Sequence, residues 1–340
     1  MTEFYQLTPE QQARGMEKLA TAALERWAIR DADLNVIKMR ENAVFRVDTP
    51  AGERVALRIH RHNYHSDAGL RSELQWMTAL DDAGIEVPRV IPSKAQRLFE
   101  TVQCDPVPEP RQVDLFRWIE GEQLGASGEG LAADEQALRA AFSTMGELCA
   151  RVHNQSAAWE LPAGFQRHAW DAEGLTGGQP FWGRFWELQA LTVAQRQLMQ
   201  DARARVHAEL SGLPKSAECY SLIHADLTPE NVMVHDGRVQ IIDFDDAGFG
   251  WHLFEIATAL YFHRTEPYFD SVKDAMIEGY RAHRHLPDEM LERLPTFMMA
   301  RGFTYLGWVH TRYETETARE LTPMLVDLAC GLAEDYLGNS

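Results

Sequence analysis

The chain has 340 residues, which predicts about two domains, and its 45% apolar and 25% charged residues exclude a disordered or fibrous protein. The formal net charge of −18 disfavours nucleic acid and anionic membrane surfaces as partners, because both are polyanions. The charge either keeps the protein soluble or selects a cationic substrate. The composition leaves both interpretations open, and it does not define the oligomeric state.

The four cysteines, Cys104, Cys149, Cys219 and Cys330, are far apart in the sequence and form no C-x-x-C pair. This spacing argues against a disulfide framework or a zinc site and fits a reducing compartment. The N-terminus lacks a basic region followed by an apolar run, and no stretch approaches the roughly 18 apolar residues of a membrane span. We therefore expect a cytoplasmic protein.

The first elements in chain order are a helix and a β-hairpin. Thr8, Pro9 and Gln11 have the spacing of a capped helix start. Two β-rich runs, "ENAVFRVD" and "ERVALRIH", follow on either side of the turn sequence 49–52. Apolar residues alternate along the second run, which predicts an antiparallel hairpin with Arg58 on the face opposite the apolar one.

The next predicted helix carries a carboxylate on its apolar stripe. Ser66 is placed to cap this helix, and Glu73 lies three and four residues from the apolar positions Leu70 and Met77. A buried carboxylate needs a partner, because an unpaired buried charge is costly. Arg58 on the neighbouring strand is the natural candidate. The alternative places Glu73 at the edge of the stripe, in contact with water.

The pattern changes near residue 120. Strand signals continue in "RLFETVQC" and "QVDLFRWIEG", and the glycine-rich run "GEQLGASGEG" then leads into a sequence dominated by helical spacing. We predict a small N-terminal lobe built on a sheet, residues 1–120, and a larger, mainly helical C-terminal lobe, residues 121–340.

The strongest chemical signal is "HADLTPEN", residues 224–231. After this loop, the apolar runs "VMV" and "VQII" flank Asp236-Gly237, which is a strong hairpin signal. Counting outward from that turn puts Asn231 near Asp243, and their amide and carboxylate oxygens suit a hard cation such as Mg²⁺. Asp226 is placed to orient an attacking hydroxyl and accept its proton. Loop Asp and Asn residues often only form turns and caps, but that explanation does not predict the joint spacing.

These residues resemble a known family. "HADLTPEN" is similar to the catalytic loop H-R-D-L-x-x-x-N of protein kinases, and "IDFDD" occupies the place of their D-F-G segment. The alanine after the histidine makes the match closer to the aminoglycoside phosphotransferase and choline kinase superfamily. The stretches "LRIHR", "WIEGE" and "IDFDDA" resemble the branch that holds type II homoserine kinases, hydroxylysine kinases and the bacterial stress-response kinase.

The resemblance implies an α+β, protein-kinase-like bilobal fold, with an antiparallel-sheet N-lobe that covers ATP and a helical C-lobe that carries the catalytic loop and the metal-binding hairpin. It implies the following roles: Asp226 as the catalytic aspartate, Asn231 and Asp243 as Mg²⁺ ligands, Arg58 in place of the strand lysine that holds nucleotide phosphates, Glu73 as its helix partner, Arg117, Trp118 and Ile119 as the adenine-binding hinge, and His224 as a brace of the loop. Beyond these roles, we expect Asn42 at the phosphates and Asp245 at the substrate.

Three features depart from the family pattern. The first hairpin lacks a glycine-rich phosphate loop, so other backbone near residues 41–43 must cover the phosphates. Arginine at position 58 has a planar fork and is not equivalent to lysine. Glu255 stands where the superfamily often has aspartate at a helix start, and we expect it to be structural.

Three further groups of residues have both a functional and a structural interpretation. His60, His62 and His65 suggest a metal site or, more simply, an exposed histidine-rich loop. Aromatic residues form either a box for an ammonium group or helix core: Phe181, Trp182, Phe185, Trp186, Phe303, Tyr305, Trp308 and Tyr313. Asp245 and Asp246 either share in metal and amine binding or, for Asp246, cap the following turn.

The sequence therefore predicts a Mg²⁺-dependent kinase that transfers the γ-phosphoryl group of ATP to the hydroxyl of a small molecule, such as an amino alcohol or a hydroxy amino acid. A protein serine/threonine kinase is the alternative. The helical pattern that directly follows "DFDDAGFG" leaves little room for a peptide-binding segment and argues against it. An inactive nucleotide-binding module is a third hypothesis, which the altered phosphate loop and Arg58 keep open.

Overall fold

The computed structural model describes residues 3–39, 42–125, 134–236 and 238–338. Glu41, Gly237 and residues 126–130 of the glycine-rich run, which the sequence analysis uses, lie outside these residues. The chain forms two compact units. The N-terminal unit comprises Met1–Gly121, Leu161–Gln166 and Gln240–Ile242, and the C-terminal unit comprises Glu122–Glu160, Arg167–Val239 and Asp243–Ser340.

The N-terminal unit combines a sheet with two helices. Its five strands are antiparallel and lie in the order β1-β2-β3-β5-β4. The elements are α1 (Pro9–Leu24), β1 (Asp33–Met39), β2 (Ala43–Asp48), β3 (Arg54–Ile59), α2 (Asp67–Asp82), β4 (Phe99–Val102) and β5 (Arg111–Arg117).

The predicted features of this unit are present. Thr8 and Gln11 form the reciprocal capping box at the start of α1, and Ser66 caps α2 through the backbone nitrogen of Gly69. The β2–β3 hairpin pairs in antiparallel register, and the alternating apolar residues of β3 are buried in a core shared with α1. The period-two pattern therefore gave the correct buried face of β3.

The edge strand β1 was missed in the sequence analysis. Six of its seven residues are exposed, so its sequence lacks the alternation that identifies a half-buried strand. Val36 and Ile37 are among the exposed apolar side chains, and the pairing with β2 shifts register between Val36 and Lys38. That shift is the signature of a β-bulge or a similar irregularity.

The C-terminal unit is mainly helical and carries two small sheets, with the end of β10 assigned to the other unit. Its elements are β6 (Glu122–Gln123), α3 (Glu135–Ala158), β7 (Ala169–Trp170), α4 (Ala172–Thr176), α5 (Val193–Ser211), β8 (Tyr220–Ile223), β9 (Val232–His235), β10 (Arg238–Ile241), β11 (Gly248–Trp251), α6 (His252–Leu260), α7 (Phe269–His283), α8 (Asp288–Leu291), α9 (Leu294–Thr311) and α10 (Glu316–Gly338).

These small sheets hold the two ends of the 224–231 loop. Strand β8 ends immediately before the loop and pairs with β11, whereas β9 begins immediately after it and lies between β10 and β6. Helices α6 and α9, which pack against each other, lie in the same unit. The antiparallel sheet followed by a mainly helical region confirms the predicted fold class.

Among the described residues, no helix has the length and apolar character needed to cross a membrane.

Candidate active site

The 224–231 loop leaves β8 through a backbone conformation that non-glycine residues rarely adopt. Ala225 has φ +66° and His224 is fully buried. Such a left-handed residue costs on the order of 1–2 kcal/mol, so surrounding contacts must hold it. The loop ends in a short 3₁₀ turn, Pro229–Asn231, from which β9 starts.

Glu255 of α6 supplies one of these contacts. Its two carboxylate oxygens accept the backbone N–H groups of His224 at 2.9 Å and Ala225 at 2.6 Å. Burial raises the pKa of Glu255, although His224 and the two N–H donors act in the opposite direction. Its contacts agree with the expected structural role. His224 also braces the loop, because its Nδ1 accepts the backbone N–H of Asp226 at 3.2 Å.

Asp226 and Asn231 lie in direct contact. The amide nitrogen of Asn231 donates to the carboxylate Oδ2 of Asp226 at 2.9 Å and to the Asp226 carbonyl at 2.8 Å. The Asp226 side chain remains 26% exposed, while Asn231 is buried. The structure therefore brings these two predicted site residues together and leaves the carboxylate accessible.

Arg301 of α9 contacts the other oxygen of this carboxylate, and the sequence analysis missed it. Its Nη2 donates to Asp226 Oδ1 at 2.6 Å, and its Nη1 donates to the Ala225 carbonyl at 3.1 Å. The guanidinium lies over the rings of Trp182 and Tyr305, with its carbon 5.1 and 4.2 Å from the ring centroids. Arg301 is the one Lys, Arg, Asp or Glu residue in α9, which is a sequence signal for a buried, paired charge.

Carboxylates crowd the segment after β10. Burial, followed by the negative charges of Asp226, Asp245 and Asp243, raises the pKa of Asp246 well above its ordinary value. Asp243 has φ +66°, and Asp245 is buried. The Asp246 carboxylate accepts the indole N–H of Trp182 at 3.2 Å. Several negative charges are thus gathered in the unit that holds the loop.

The aromatic residues divide between the two interpretations. Phe185 and Phe303 are buried and stacked, with centroids 4.1 Å apart, and so belong to the core. Phe181 is 37% exposed and stacks on His168. Trp182 and Tyr305 do contact a cation, but this cation is Arg301 of the chain itself.

In the N-terminal unit, Arg58 is paired with two buried carboxylates. Its Nε and Nη2 donate to the two oxygens of Asp114 on β5 at 3.1 and 2.7 Å, and Nη2 also donates to Glu73 at 2.8 Å. Burial alone would raise the pKa of Asp114, but Arg58 and His60 lower it below its ordinary value. The structure confirms the inward Glu73 and its pairing with Arg58, whereas Asp114 was missed in the sequence analysis.

His60 corrects the interpretation of an exposed histidine loop. It is 1% exposed, and its Nε2 lies 2.9 Å from Asp114 Oδ2. Its position explains this burial, because it directly follows β3, whose last three residues are buried. His62 is exposed and His65 is half-buried.

The other predicted nucleotide contacts lie at the ends of strands in the N-terminal unit. Asn42 is half-buried, and its Oδ1 accepts the backbone N–H of Arg61 at 3.2 Å. Arg117 is exposed at the end of β5, and its backbone N–H bonds the carbonyl of Arg89. Trp118 and Ile119 follow the strand and are half-buried.

Residues 34–292 match the model of the phosphotransferase enzyme family. The chain therefore belongs to that family, and it is a phosphotransferase enzyme. The predicted family resemblance is confirmed.

Three relatives illustrate the similarity. The microcompartment-associated aminopropanol kinase, whose structure is solved, shares 31% sequence identity with this chain. The two structures match with a TM-score of 0.83 over 94% of this chain and 97% of that one. Amicoumacin kinase of Bacillus subtilis (strain 168) is 24% identical over 262 residues, which span 74% of this chain and 72% of that protein. An amicoumacin kinase in complex with AMP-PNP, Ca²⁺ and Ami has 20% identity and a TM-score of 0.77, with coverage of 97% and 96%. The fold is thus that of the protein-kinase-like phosphotransferases.

Proposed function

We propose that the protein transfers the γ-phosphoryl group of ATP to the hydroxyl of a small amino alcohol or hydroxy amino acid, with Mg²⁺ as cofactor. One observation carries the proposal: the Asp226 carboxylate is held at both oxygens, by Asn231 and Arg301, yet remains 26% exposed. A carboxylate that is fixed in orientation and partly exposed can accept a hydrogen bond from one group that approaches from solvent. That group is the acceptor hydroxyl.

Asp226 acts as the residue that aligns the hydroxyl and accepts its proton as the new O–P bond forms and the bond to the leaving ADP oxygen breaks. General base catalysis of this kind contributes about 10²- to 10⁴-fold in rate. Phosphoryl transfer depends mostly on positioning and on stabilisation of charge, so the orientation of Asp226 matters as much as its basicity.

The donor set fits a divalent cation. The amide nitrogen of Asn231 is committed to Asp226, so the side-chain oxygen is the atom that Asn231 offers to a metal. Burial, and then repulsion from the neighbouring carboxylates, raises the pKa of Asp246, and a bound cation would offset that repulsion. We assign Asn231 and Asp243 as Mg²⁺ ligands, and Mg²⁺ would supply neutralisation of the phosphate charge.

For the nucleotide, we propose contacts in the N-terminal unit: Arg58 and Asn42 with the phosphates, Glu73 as the residue that orients Arg58, and the segment 117–119 with the adenine. A phosphate contact by Arg58 must compete with Asp114, which already accepts two hydrogen bonds from the same guanidinium. In this scheme residues 1–120 cover the nucleotide and residues 121–340 carry the catalytic loop.

The acceptor class follows from charge. Trp182 and Tyr305 already contact the Arg301 guanidinium, so the carboxylates rather than these rings complement a cationic acceptor. We propose Asp245 as the residue that meets the amine. The similarity to an aminopropanol kinase supports an amino alcohol.

The test is the variant Asp226→Ala, assayed by ADP release with ethanolamine, 1-amino-2-propanol and homoserine as acceptors. We expect the turnover of the wild-type protein with at least one acceptor to fall by about 10²- to 10⁴-fold, because the hydroxyl loses its base. Binding of AMP-PNP with Mg²⁺ should stay within about twofold, since Asp226 does not contact the nucleotide in this scheme.

Asp327→Ala, which changes an exposed aspartate of α10, serves as the control and should retain full turnover. Undiminished phosphoryl transfer by Asp226→Ala would rule out the proposed role. Phosphate appearing on a protein serine or threonine, with none of the amino alcohols consumed, would instead support a protein kinase.

A further inference from the structure

Arg301 is an unusual residue for its helix. Helix α9 has the sequence "LPTFMMARGFTYLGWVHT", and Arg301 within it has no solvent exposure. A buried guanidinium destabilises a fold unless hydrogen bonds and an opposite charge compensate it. Its hydrogen bonds to Ala225, Asp226 and Tyr305 provide that compensation. The helix thus places a full positive charge against the loop that carries the reactive carboxylate.

The two loop contacts of Arg301 act on consecutive residues. Nη1 holds the carbonyl of Ala225, whose φ of +66° requires outside support, and Nη2 holds Oδ1 of Asp226. Because one planar guanidinium makes both bonds, it fixes the carboxylate relative to the backbone that precedes it. Glu255 holds the backbone N–H of the same Ala225. The loop is therefore fixed by α6 on its N–H groups and by α9 on its carbonyl and carboxylate.

We propose that Arg301 is a positioning residue, which acts through Asp226 by directing its accessible oxygen towards the acceptor hydroxyl. This inference rests on the proposed function. With Oδ1 bound to Arg301 and Oδ2 bound to Asn231, the plane of the carboxylate is defined by two donors from different elements. Loss of the Arg301 contact removes the donor that holds Oδ1, and the carboxylate can then rotate away from the in-line geometry.

The rings beside the guanidinium restrict it further. The ring centroid of Tyr305 lies 4.2 Å from the guanidinium carbon Cζ of Arg301, and the ring centroid of Trp182 lies 5.1 Å from the same atom. Stacking against aromatic faces suits a planar guanidinium and not a compact ammonium. Lysine at this position would keep the charge but lose the simultaneous contacts with Ala225 and Asp226. The geometry, rather than the charge alone, is therefore the property to be tested.

The experiment compares Arg301→Lys and Arg301→Ala with wild type in the ADP-release assay, using the acceptor that gives the highest turnover in the amino alcohol panel. We expect kcat to fall about tenfold for Arg301→Lys and about 100-fold for Arg301→Ala, because small displacements of a reacting group have effects of this size. The KM for ATP should change by less than about twofold. Methylguanidine added to Arg301→Ala should restore part of kcat.

Arg205→Lys is the matched control. Arg205 also bonds a carboxylate, that of Glu209 at 3.1 Å, bonds the Tyr336 carbonyl at 2.7 Å, and lies 4.4 Å from the Tyr336 ring. Among the described residues, its hydrogen bonds and ring contact are with α5 and α10 and not with the 224–231 loop, and it differs from Arg301 in being partly exposed. We expect its substitution to leave kcat unchanged.

The outcomes separate this inference from the proposed function. A wild-type kcat for Arg301→Lys would overturn the positioning role. So would a fall in kcat in proportion to the fraction of protein that no longer binds AMP-PNP and no longer unfolds cooperatively on heating, because misfolding would then explain the fall. If Asp226→Ala is inactive while Arg301→Lys is fully active, the proposed function stands and the positioning role fails. If Asp226→Ala itself turns over, the proposed function fails first.

Discussion

Each unit of the molecule contains a buried arginine bonded to carboxylates, and the two clusters differ in what they leave accessible. In the N-terminal unit, Arg58 bonds Glu73 and Asp114, and the side chains of both carboxylates are completely buried. In the C-terminal unit, Arg301 is completely buried, but its partner Asp226 is 26% exposed. The same pair of functional groups therefore forms a closed cluster in one unit and an open cluster in the other.

Under the proposed function, the exposed carboxylate is the one that reacts, whereas the two fully buried carboxylates hold an arginine in place. The Arg58 cluster joins β3, α2 and β5, and its geometry is suited to holding these elements together. The Arg301 cluster fixes a carboxylate that remains 26% exposed. Substitutions in the closed cluster should reduce stability most, and substitutions in the open cluster should reduce turnover most.

The largest expected effect on stability comes from Asp114→Leu. The substitution removes the carboxylate that accepts two hydrogen bonds from buried Arg58 and contacts buried His60, although Glu73 still pairs with Arg58. Breaking such a buried pair should lower the free energy of unfolding by about 3–5 kcal/mol. Chemical denaturation of the variant and the wild type measures this change. Asp48→Ala is the control, because Asp48 pairs with Arg46 in the same sheet at 30–35% exposure and should contribute at most about 1 kcal/mol. Equal losses in the two variants would contradict the distinction.

The contributions of Asp114 and Glu255, one in each unit, to the free energy of unfolding should change with pH in opposite directions. The pKa of Asp114 is lowered, so its stabilisation is present above its ordinary pKa of 3.8 and is lost as the pH falls through the folded value. The pKa of Glu255 is raised, so its contribution is present below 4.5 and is lost as the pH rises through the folded value.

The test compares the melting temperatures of Asp114→Asn and Glu255→Gln with that of wild type at pH values below and above 3.8 and 4.5. It shows in which direction each contribution to stability changes with pH. The deficit of Asp114→Asn should shrink as the pH falls below 3.8, and the deficit of Glu255→Gln should shrink as the pH rises above 4.5. Each pKa unit corresponds to about 1.4 kcal/mol. If the deficits of both variants changed in the same direction as the pH rises, the comparison would be contradicted.

The smallest expected effect is that of Tyr305→Phe, which removes the hydroxyl that accepts Nη2 of Arg301 at 2.8 Å and keeps the ring. Because Nη2 keeps its bond to Asp226 and the guanidinium keeps its contact with the ring, we expect only about a two- to fivefold loss of kcat. Initial rates at saturating ATP measure it. Tyr313→Phe, just beyond α9, should have no effect. A loss as large as that of Arg301→Ala would mean that the hydroxyl contacts the substrate directly.

The sequence predicted the features that depend on local spacing. The helix caps at Thr8 and Ser66 and the buried face of β3 follow from periodicities that a few neighbouring residues define. The pairing of Arg58 with Glu73 also follows, since a carboxylate on an apolar stripe requires a nearby cation. The 224–231 loop was singled out by its own residues as the candidate catalytic loop, and the contact between Asp226 and Asn231 spans only five positions.

The remaining contacts could not be predicted, because they join residues that are distant in the chain. Asp114 is 56 positions from Arg58, and Arg301 is 75 positions from Asp226. A lone charge in an apolar strand or helix signals burial and pairing, but it does not specify the partner. His60 was misassigned because its histidine-rich neighbours suggested a loop, whereas the strand before it leads it into the interior.

The irregular edge strand β1 has a consequence for solubility. An edge strand with exposed apolar side chains such as Val36 and Ile37 offers a template for sheet extension between molecules. Here the register shift between Val36 and Lys38 interrupts the flat ladder at Ile37, which the pairing skips, and the charged Lys38 directly follows it. Both devices oppose intermolecular strand addition, so β1 can expose apolar surface without promoting aggregation.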